Sequence, residues 1–198
     1  MYRRLWIFAV LMLLGLASGS AVAAQDASPA ASDFVTPDPT ECVAEPRSVE
    51  ELRAFLESAT AATAIPATPS ATDGEPADPE TVEAVSAVTR EVYACLNANA
   101  FLRMFALYSD HYVARSLVEG DLNPDALSLF ATPIAPQDAD ERTSMAIRDV
   151  QVLPDGRVSV LVIDRNPLGG DTESPTTYIF VEQDGRWLVD DIVQEPAG

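Results

Sequence analysis

The spacing of apolar residues changes once along this chain, from a helical period to an alternating one. Over 49–56 and again over 82–117, apolar residues recur every three or four positions, as in amphipathic helices. After position 135 they recur at every second position, as in β-strands with one buried face. Helices followed by an antiparallel sheet define an α+β fold.

Capping residues predict where the helices begin. Ser48 and Glu51 form a capping box at the start of a short helix. Asp78 before Pro79 predicts the start of a longer helix, because aspartate caps helices and proline fits their first position. Further helical segments are predicted from Asn99 to Tyr108, from Ser109 to Gly120, and from Asn123 to Phe130.

Four strands are predicted after the helices. The alternation changes phase near Arg148 and Asp149, which indicates a β-bulge. Asp184-Gly185 predicts a tight hairpin turn, and a Gly/Pro-rich loop is predicted over 166–175. The predicted strands cover 145–152, 158–163, 176–182 and 186–193.

The first 24 residues have the features of a secretory signal peptide. Arg3 and Arg4 precede an apolar run, and small residues with an A-x-A site at 21–23 follow it. We therefore expect cleavage near Ala23 or Ala24 and a secreted or extracytoplasmic protein. The run also approaches the ~20 residues of an uncleaved membrane anchor. Both arrangements place the remaining chain outside the cytoplasm.

Composition divides the rest of the chain into four segments. Residues 25–40 are rich in Ala, Ser, Asp and Pro, which predicts a mobile tail. Residues 41–58 contain a cysteine and the first short helix. Residues 59–78 are rich in Ala, Thr and Pro without an apolar period, which predicts a linker. Residues 79–195 form the predicted main domain.

The charge of the chain is strongly acidic and limits its partners. It has 31 Asp and Glu against 12 Lys and Arg, a formal net charge of −19 at pH 7. Such a surface repels nucleic-acid phosphates and anionic lipids, so we expect no nucleic-acid binding and no membrane binding beyond the signal segment. Asp138, Asp140 and Glu141 lack the glycine and terminal glutamate of a calcium loop. We expect neither a metal nor a cofactor.

The two cysteines, Cys42 and Cys95, form an even pair. In an exported protein such a pair indicates one disulfide. Two buried free thiols and a redox pair are the alternatives that the sequence leaves open. The long separation is unlike a C-x-x-C motif, and no further cysteines or histidines complete a metal site around the pair.

Two stretches of the chain resemble the nuclear transport factor 2-like superfamily. One is helical and includes Val-Thr-Arg-Glu-Val-Tyr-Ala-Cys-Leu-Asn-Ala-Asn at 88–99 and Phe-Ala-Leu-Tyr-Ser-Asp at 105–110. The other is the closing hairpin at 178–192 with its Asp-Gly-Arg-Trp turn. The resemblance covers about 79–193 and implies a cystatin-like cone, in which a curved antiparallel sheet wraps around helices and leaves a pocket. Ketosteroid isomerases and polyketide cyclases of this superfamily catalyse reactions there, whereas many members only bind or dimerise.

Residues with an apolar body and a polar tip are the pocket candidates, because they bury a ligand and also orient it. Strand alternation places Asp191 in phase with Trp187 and Val189, with Asp190 in the opposite phase. The sequence does not decide which of these two carboxylates faces the pocket. No residues of the chain can be matched one by one to the catalytic residues of the isomerases. The candidates are Tyr108, Tyr112, Tyr178, Trp187 and Asp191.

These observations lead to the hypothesis of an exported, non-enzymatic domain that binds a small apolar ligand or a partner protein. One alternative is an enzyme of isomerase or cyclase type that acts on a hydrophobic substrate in the same pocket. A second alternative is a structural homodimer without ligand. A carboxylate within hydrogen-bond reach of a tyrosine and beside an empty cavity would favour the enzyme. A pocket filled by aromatic side chains would favour the structural homodimer.

Overall fold

Helices and an antiparallel sheet make up the computed structural model, as an α+β fold requires. It describes residues 34–60, 74–120, 122, 125–170 and 172–194, which belong to one compact unit spanning 31–198. The helices in these ranges are α1 (Val49–Thr60), α2 (Pro79–Asn97), α3 (Phe101–Phe105) and α4 (Asp110–Glu119). The strands are β1 (Glu75–Pro76), β2 (Ser144–Val152), β3 (Val158–Arg165), β4 (Glu173–Gln183) and β5 (Arg186–Gln194).

Side-chain caps start the helices where the sequence predicts them. The Ser48 amide donates to Glu51 Oε2 (2.7 Å) and the Glu51 amide donates to Ser48 Oγ (3.2 Å), which completes the capping box of α1. Asp78 and Ser109 cap α2 and α4 through their side-chain oxygens. None of the described helices has the length and apolar content needed to cross a bilayer.

The helix predicted from Asn99 to Tyr108 is shorter than expected. It ends at Phe105, because the chain then turns to hydrogen bond with the edge of β5. Val189 donates its amide to Leu107 O (2.9 Å), and Tyr108 lies opposite Val189 in a parallel bridge. Asn99 has a φ of 52° just beyond the end of α2, so it does not cap α3.

The five strands form one antiparallel sheet in the order β1-β2-β3-β4-β5. The pairing of β2 with β3 shifts between Ile147 and Asp149, which confirms the predicted bulge at Arg148. Asp184 and Gly185 both have positive φ values (52° and 73°), as the predicted tight hairpin requires.

The loop predicted over 166–175 is shorter in the structure, because β3 and β4 each extend beyond their predicted ends. Arg165 and Glu173 lie opposite each other and form an ion pair (2.5 Å), which is a favourable cross-strand contact. The helical turn predicted from 123 to 130 is a 3₁₀ helix over Ala126–Ala131, and residues 123–124 lie outside the described part.

The structure describes only parts of the segments predicted as tail and linker. Residues 25–33 and 61–73 lie outside the described ranges. Val35, within the expected tail, exchanges two backbone hydrogen bonds with Met145 (2.9 and 2.8 Å). Glu75–Pro76, within the expected linker, pairs with β2, and residues 59–60 complete α1. The exposed edge of β2 offers unpaired backbone groups that both segments use.

We call residues 34–47 the N-terminal strap, because this segment crosses α2 and is tied to it. Cys42 and Cys95 form a disulfide (S–S 2.03 Å), which confirms the prediction. Glu41 forms an ion pair with Arg90, and Glu91 Oε1 accepts the backbone amides of residues 43 and 44 (3.0 and 2.7 Å). The strap is therefore fixed by one covalent bond and several polar contacts.

A buried amide joins the strap to the sheet. Asn97 is fully buried at the end of α2, and its Nδ2 donates to Pro37 O (3.0 Å) and to Thr143 O (3.1 Å). Its Oδ1 accepts the Thr143 amide (3.0 Å). Every polar atom of this side chain thus has a partner, as burial of an amide requires.

One side of the sheet packs against the helices, and we call it the helix-facing side. Its residues form a single apolar cluster with α1, α2 and α4. The strand residues of this cluster are Met145, Val158, Val160, Val162, Tyr178, Phe180 and Val189. Residues on the second side of β3 and β4, such as Ser159 and Ile179, are also buried.

Candidate functional site

Four of the five tyrosines in the chain converge on the helix-facing side. Tyr93 comes from α2, Tyr108 from the segment before α4, Tyr112 from the first turn of α4, and Tyr178 from β4. Each element presents its tyrosine to the same core, which packs helix against sheet. We call these four residues the tyrosine cluster.

The cluster consists of two contacting pairs. The hydroxyls of Tyr93 and Tyr178 share a hydrogen bond of 3.3 Å, and their ring centroids are 6.3 Å apart. The rings of Tyr108 and Tyr112 meet edge to face with centroids 5.1 Å apart. The two pairs lie close enough that Tyr178 raises the pKa of Tyr108.

Burial keeps these hydroxyls protonated. Tyr93, Tyr108 and Tyr178 are 3%, 6% and 8% exposed. Burial raises the pKa of Tyr108 and of Tyr178 well above the usual value for tyrosine, and it also raises the pKa of Tyr93 and Tyr112. At neutral pH the cluster therefore offers neutral hydroxyl groups that donate and accept hydrogen bonds.

Asp164 adds a carboxyl group beside the cluster. It lies two residues after Val162 on β3, so both side chains share the helix-facing side. Burial raises the pKa of Asp164, and its charge in turn raises the pKa of Tyr93 and Tyr178. Sequence reasoning ended this strand at residue 163 and therefore missed Asp164.

An apolar surface continues from the cluster toward solvent. Tyr178 lies opposite Val160 on β3 and Ile192 on β5, and Val160 lies opposite Val150 on β2. Val160 and Tyr178 are buried, whereas Val150 and Ile192 at the two ends of this row are half-buried. The described helices thus leave the ends of the row partly uncovered.

Asp191 lies beside the cluster with its charge already paired. Its carboxylate forms a largely buried ion pair with Arg115 of α4 and accepts the Ile192 amide (2.8 Å). The Arg115 guanidinium in turn lies over the Tyr112 ring, 5.3 Å from its centroid and within the ~6 Å reach of cation–π contacts. The carboxylate of the pocket candidate Asp191 is therefore held by an arginine.

A second bulge corrects the predicted phase of β5. Asp191 pairs with Ile179 and Val189 pairs with Phe180, so Asp190 is an extra residue in the strand. Simple alternation between Val189 and Asp191 is therefore interrupted. Asp190 accepts a hydrogen bond from Ser109 Oγ (2.7 Å), a contact with a residue distant in sequence.

Comparison of the chain with protein-family models, curated proteins and solved structures gives no match. The site itself combines neutral hydroxyls, a partly buried carboxyl group and an apolar strand row. Small-molecule sites in proteins combine an apolar lining with a few polar groups that orient the ligand. No group of three or more residues suited to hold a metal ion occurs in the described ranges.

The structure brings together three of the predicted pocket residues. Tyr108, Tyr112 and Tyr178 belong to the tyrosine cluster, and Asp191 contacts it through Arg115. Trp187 is half-buried against the core near the hairpin, and no ring contact connects it to the cluster among the described residues. The pocket prediction omitted Tyr93, because the apolar stripe of α2 runs through its valines. Its position directly after Val92, at the border of that stripe, was the available signal.

Proposed function

We propose that this protein is an exported, non-enzymatic domain that binds a small, mainly apolar ligand on the helix-facing side of its sheet. The main observation behind this proposal is that the tyrosine cluster adjoins the apolar row of strand residues that contains Tyr178. The two ends of this row, Val150 and Ile192, are half-buried. Four tyrosines supply polar tips on aromatic bodies, and the row of β-branched residues supplies apolar surface.

Two further features support the proposed compartment and the proposed fold family. The Cys42–Cys95 disulfide is typical of oxidising compartments outside the cytoplasm, in agreement with the predicted signal peptide. A meander sheet with helices against one side is compatible with a cone of the nuclear transport factor 2-like superfamily. That relationship remains part of the proposal.

A neutral fluorescent probe tests the proposed site. N-phenyl-1-naphthylamine is apolar and uncharged, so the acidic surface does not repel it. We expect a saturable increase in its emission on titration with the mature protein. Ile192→Trp should fill the open end of the apolar row and weaken binding about tenfold, which corresponds to about 1.4 kcal/mol.

Val193→Trp is the matched control for that titration. Val193 is half-buried like Ile192, but strand alternation turns its side chain to the second side of the sheet. Its substitution should leave the affinity within about twofold of wild type, a difference of about 0.4 kcal/mol. Equal effects of both variants, or emission that never saturates, would contradict the proposed site. Absence of binding together with a dimeric mass in native mass spectrometry would favour the structural homodimer.

An enzyme of isomerase or cyclase type is the second candidate. Asp164 favours it, because a carboxyl group beside two tyrosine hydroxyls on an apolar surface resembles an acid–base site. We nevertheless expect no turnover of steroid-like enones by the wild-type protein, measured by absorbance at the wavelength of the conjugated ketone. Turnover that disappears in a folded Asp164→Asn variant would replace the non-enzymatic proposal with the enzymatic one.

A further inference from the structure

A surface cleft of about 210 Å³ lies beside the end of α2, and none of its described lining residues belongs to the tyrosine cluster. One wall is the turn from α2 into α3, residues 98–103, and the other is the segment 130–134. Two hydrogen bonds connect these walls: Asn99 Nδ2 donates to Ala135 O (2.7 Å), and the amide of residue 137 donates to Asn97 O (2.8 Å). The cleft is therefore a fixed feature of the fold.

Apolar side chains form much of the lining of this cleft. The rings of Phe101 and Phe130 meet edge to face with centroids 6.0 Å apart. Ile134 is 53% exposed, so an apolar ligand in the cleft would remove its side chain from water. An apolar cavity of ~150 Å³ accepts a molecule of the size of benzene, so this cleft has room for one phenyl ring and a small substituent.

The charge of the cleft is opposite in sign to that of the whole chain. Arg103 is the only charged residue among the described residues that line it, although the chain contains 31 Asp and Glu. Arg103 is half-buried, and its Nη1 donates to Ala44 O (2.6 Å). Other arginines of the described ranges, such as Arg47 and Arg115, form ion pairs, whereas Arg103 forms none there.

We infer that this cleft binds a small monocarboxylate whose apolar body is about one phenyl ring in size. The guanidinium of Arg103 has five N–H donors in a fork that matches a carboxylate, and the bond to Ala44 uses only one nitrogen. The ring of the ligand lies against Phe101, Phe130 and Ile134. This site is separate from the helix-facing side of the sheet, and the inference does not depend on the proposed function.

Titration of the ¹⁵N-labelled mature protein with three probes at neutral pH tests the inference. Phenylacetate carries a ring and a carboxylate, phenylacetamide is its neutral counterpart, and acetate has no ring. We expect phenylacetate to bind about fivefold more tightly than phenylacetamide, which corresponds to about 1 kcal/mol for a partly exposed ion pair. Acetate should bind more weakly than phenylacetate. The amide resonances of Phe101, Leu102 and Ile134 should shift on binding.

Removing the charge of Arg103 should abolish the preference for the carboxylate. In Arg103→Met, which keeps an unbranched apolar side chain, phenylacetate and phenylacetamide should bind equally. Arg53→Met is the matched control, because it changes the net charge by the same amount on α1, outside the cleft, and the preference should persist. Arg103→Lys should retain part of the preference, since the ammonium group keeps the charge but lacks the fork.

Ile134→Asp tests the cleft without removing the bond from Arg103 to the strap. The residue is largely exposed, so the substitution leaves the fold intact and adds a carboxylate to the cleft. It should weaken phenylacetate binding about fivefold or more, by repulsion and loss of apolar contact. Leu168→Asp is the matched control, since Leu168 is 66% exposed and does not belong to the described lining of the cleft.

Four results would overturn the inference. They are equal affinity of the wild-type protein for phenylacetate and phenylacetamide, similar losses in Ile134→Asp and Leu168→Asp, resonance shifts confined to residues outside the cleft, and no binding of phenylacetate. Acetyl-Ala-Ala-Phe serves as a fourth probe. Binding of this peptide tighter than that of phenylacetate would assign the carboxylate to the C-terminus of a partner protein and would likewise overturn the inference of a small free acid.

Discussion

Removal of the Cys42–Cys95 disulfide should lower the free energy of unfolding by about 4 kcal/mol on the chain-entropy model, for a loop of 53 positions. The bond restricts the unfolded chain, and it also fixes the strap, whose ion pair between Glu41 and Arg90 is partly exposed. Surface ion pairs such as Glu41–Arg90 stabilise a fold only weakly, so they cannot replace the covalent bond.

Urea unfolding of the Cys42→Ala/Cys95→Ala variant measures this effect. Trp187 is half-buried in the sheet and serves as the fluorescent reporter. Wild-type protein unfolded in the presence of dithiothreitol is the control, and its midpoint should approach that of the double variant. A loss below about 1 kcal/mol, well under the range typical of native disulfides, would show that the bond adds little to this fold.

Removal of Arg115 should produce the second large effect. Arg115→Met leaves the Asp191 carboxylate buried without its arginine, and breaking a buried pair in this way typically costs about 3–5 kcal/mol. The Arg115→Met/Asp191→Asn double variant should recover most of that loss, because it removes the charge and keeps an acceptor for the Ile192 amide. Urea unfolding of both variants gives the comparison.

Glu119→Gln separates the buried pair from the exposed one. Glu119 lies 3.9 Å from Arg115, one helical turn away, and its side chain is largely exposed. An exposed pair of this kind contributes about 0.3–0.5 kcal/mol, so the substitution should have little effect. Similar losses of unfolding free energy in Glu119→Gln and Arg115→Met would contradict this prediction. They would mean that burial of Asp191 does not make its ion pair with Arg115 more stabilising than the exposed pair.

Local signals explain which parts of the fold the sequence predicted. The capping box at Ser48, the cap at Asp78 and the bulge at Arg148 each depend on a few neighbouring residues, and the structure confirms all three. The α+β class follows from apolar periods that are also local. The disulfide was predictable because the chain has only two cysteines.

Contacts between distant residues explain what the sequence could not predict. Residues 34–40 are held in place by hydrogen bonds to Met145 and to the Asn97 side chain. No local sequence pattern connects these two residues to the tail. The bulge at Asp190 accompanies its contact with Ser109. The partners of Tyr93 and Asp164 come from other elements, so these two site residues emerge only from the folded chain.

The disulfide also gives the chain a closed covalent ring. Residues 43–94 lie between the two linked cysteines, and this ring includes α1 and β1. A single peptide-bond cleavage within the ring opens it but releases neither product, because the sulfur–sulfur bond still connects them. A nicked molecule would therefore migrate as one species until a reductant separates it into two. Through the same bond, the segment that carries α1 would stay attached to α2 after such a cleavage.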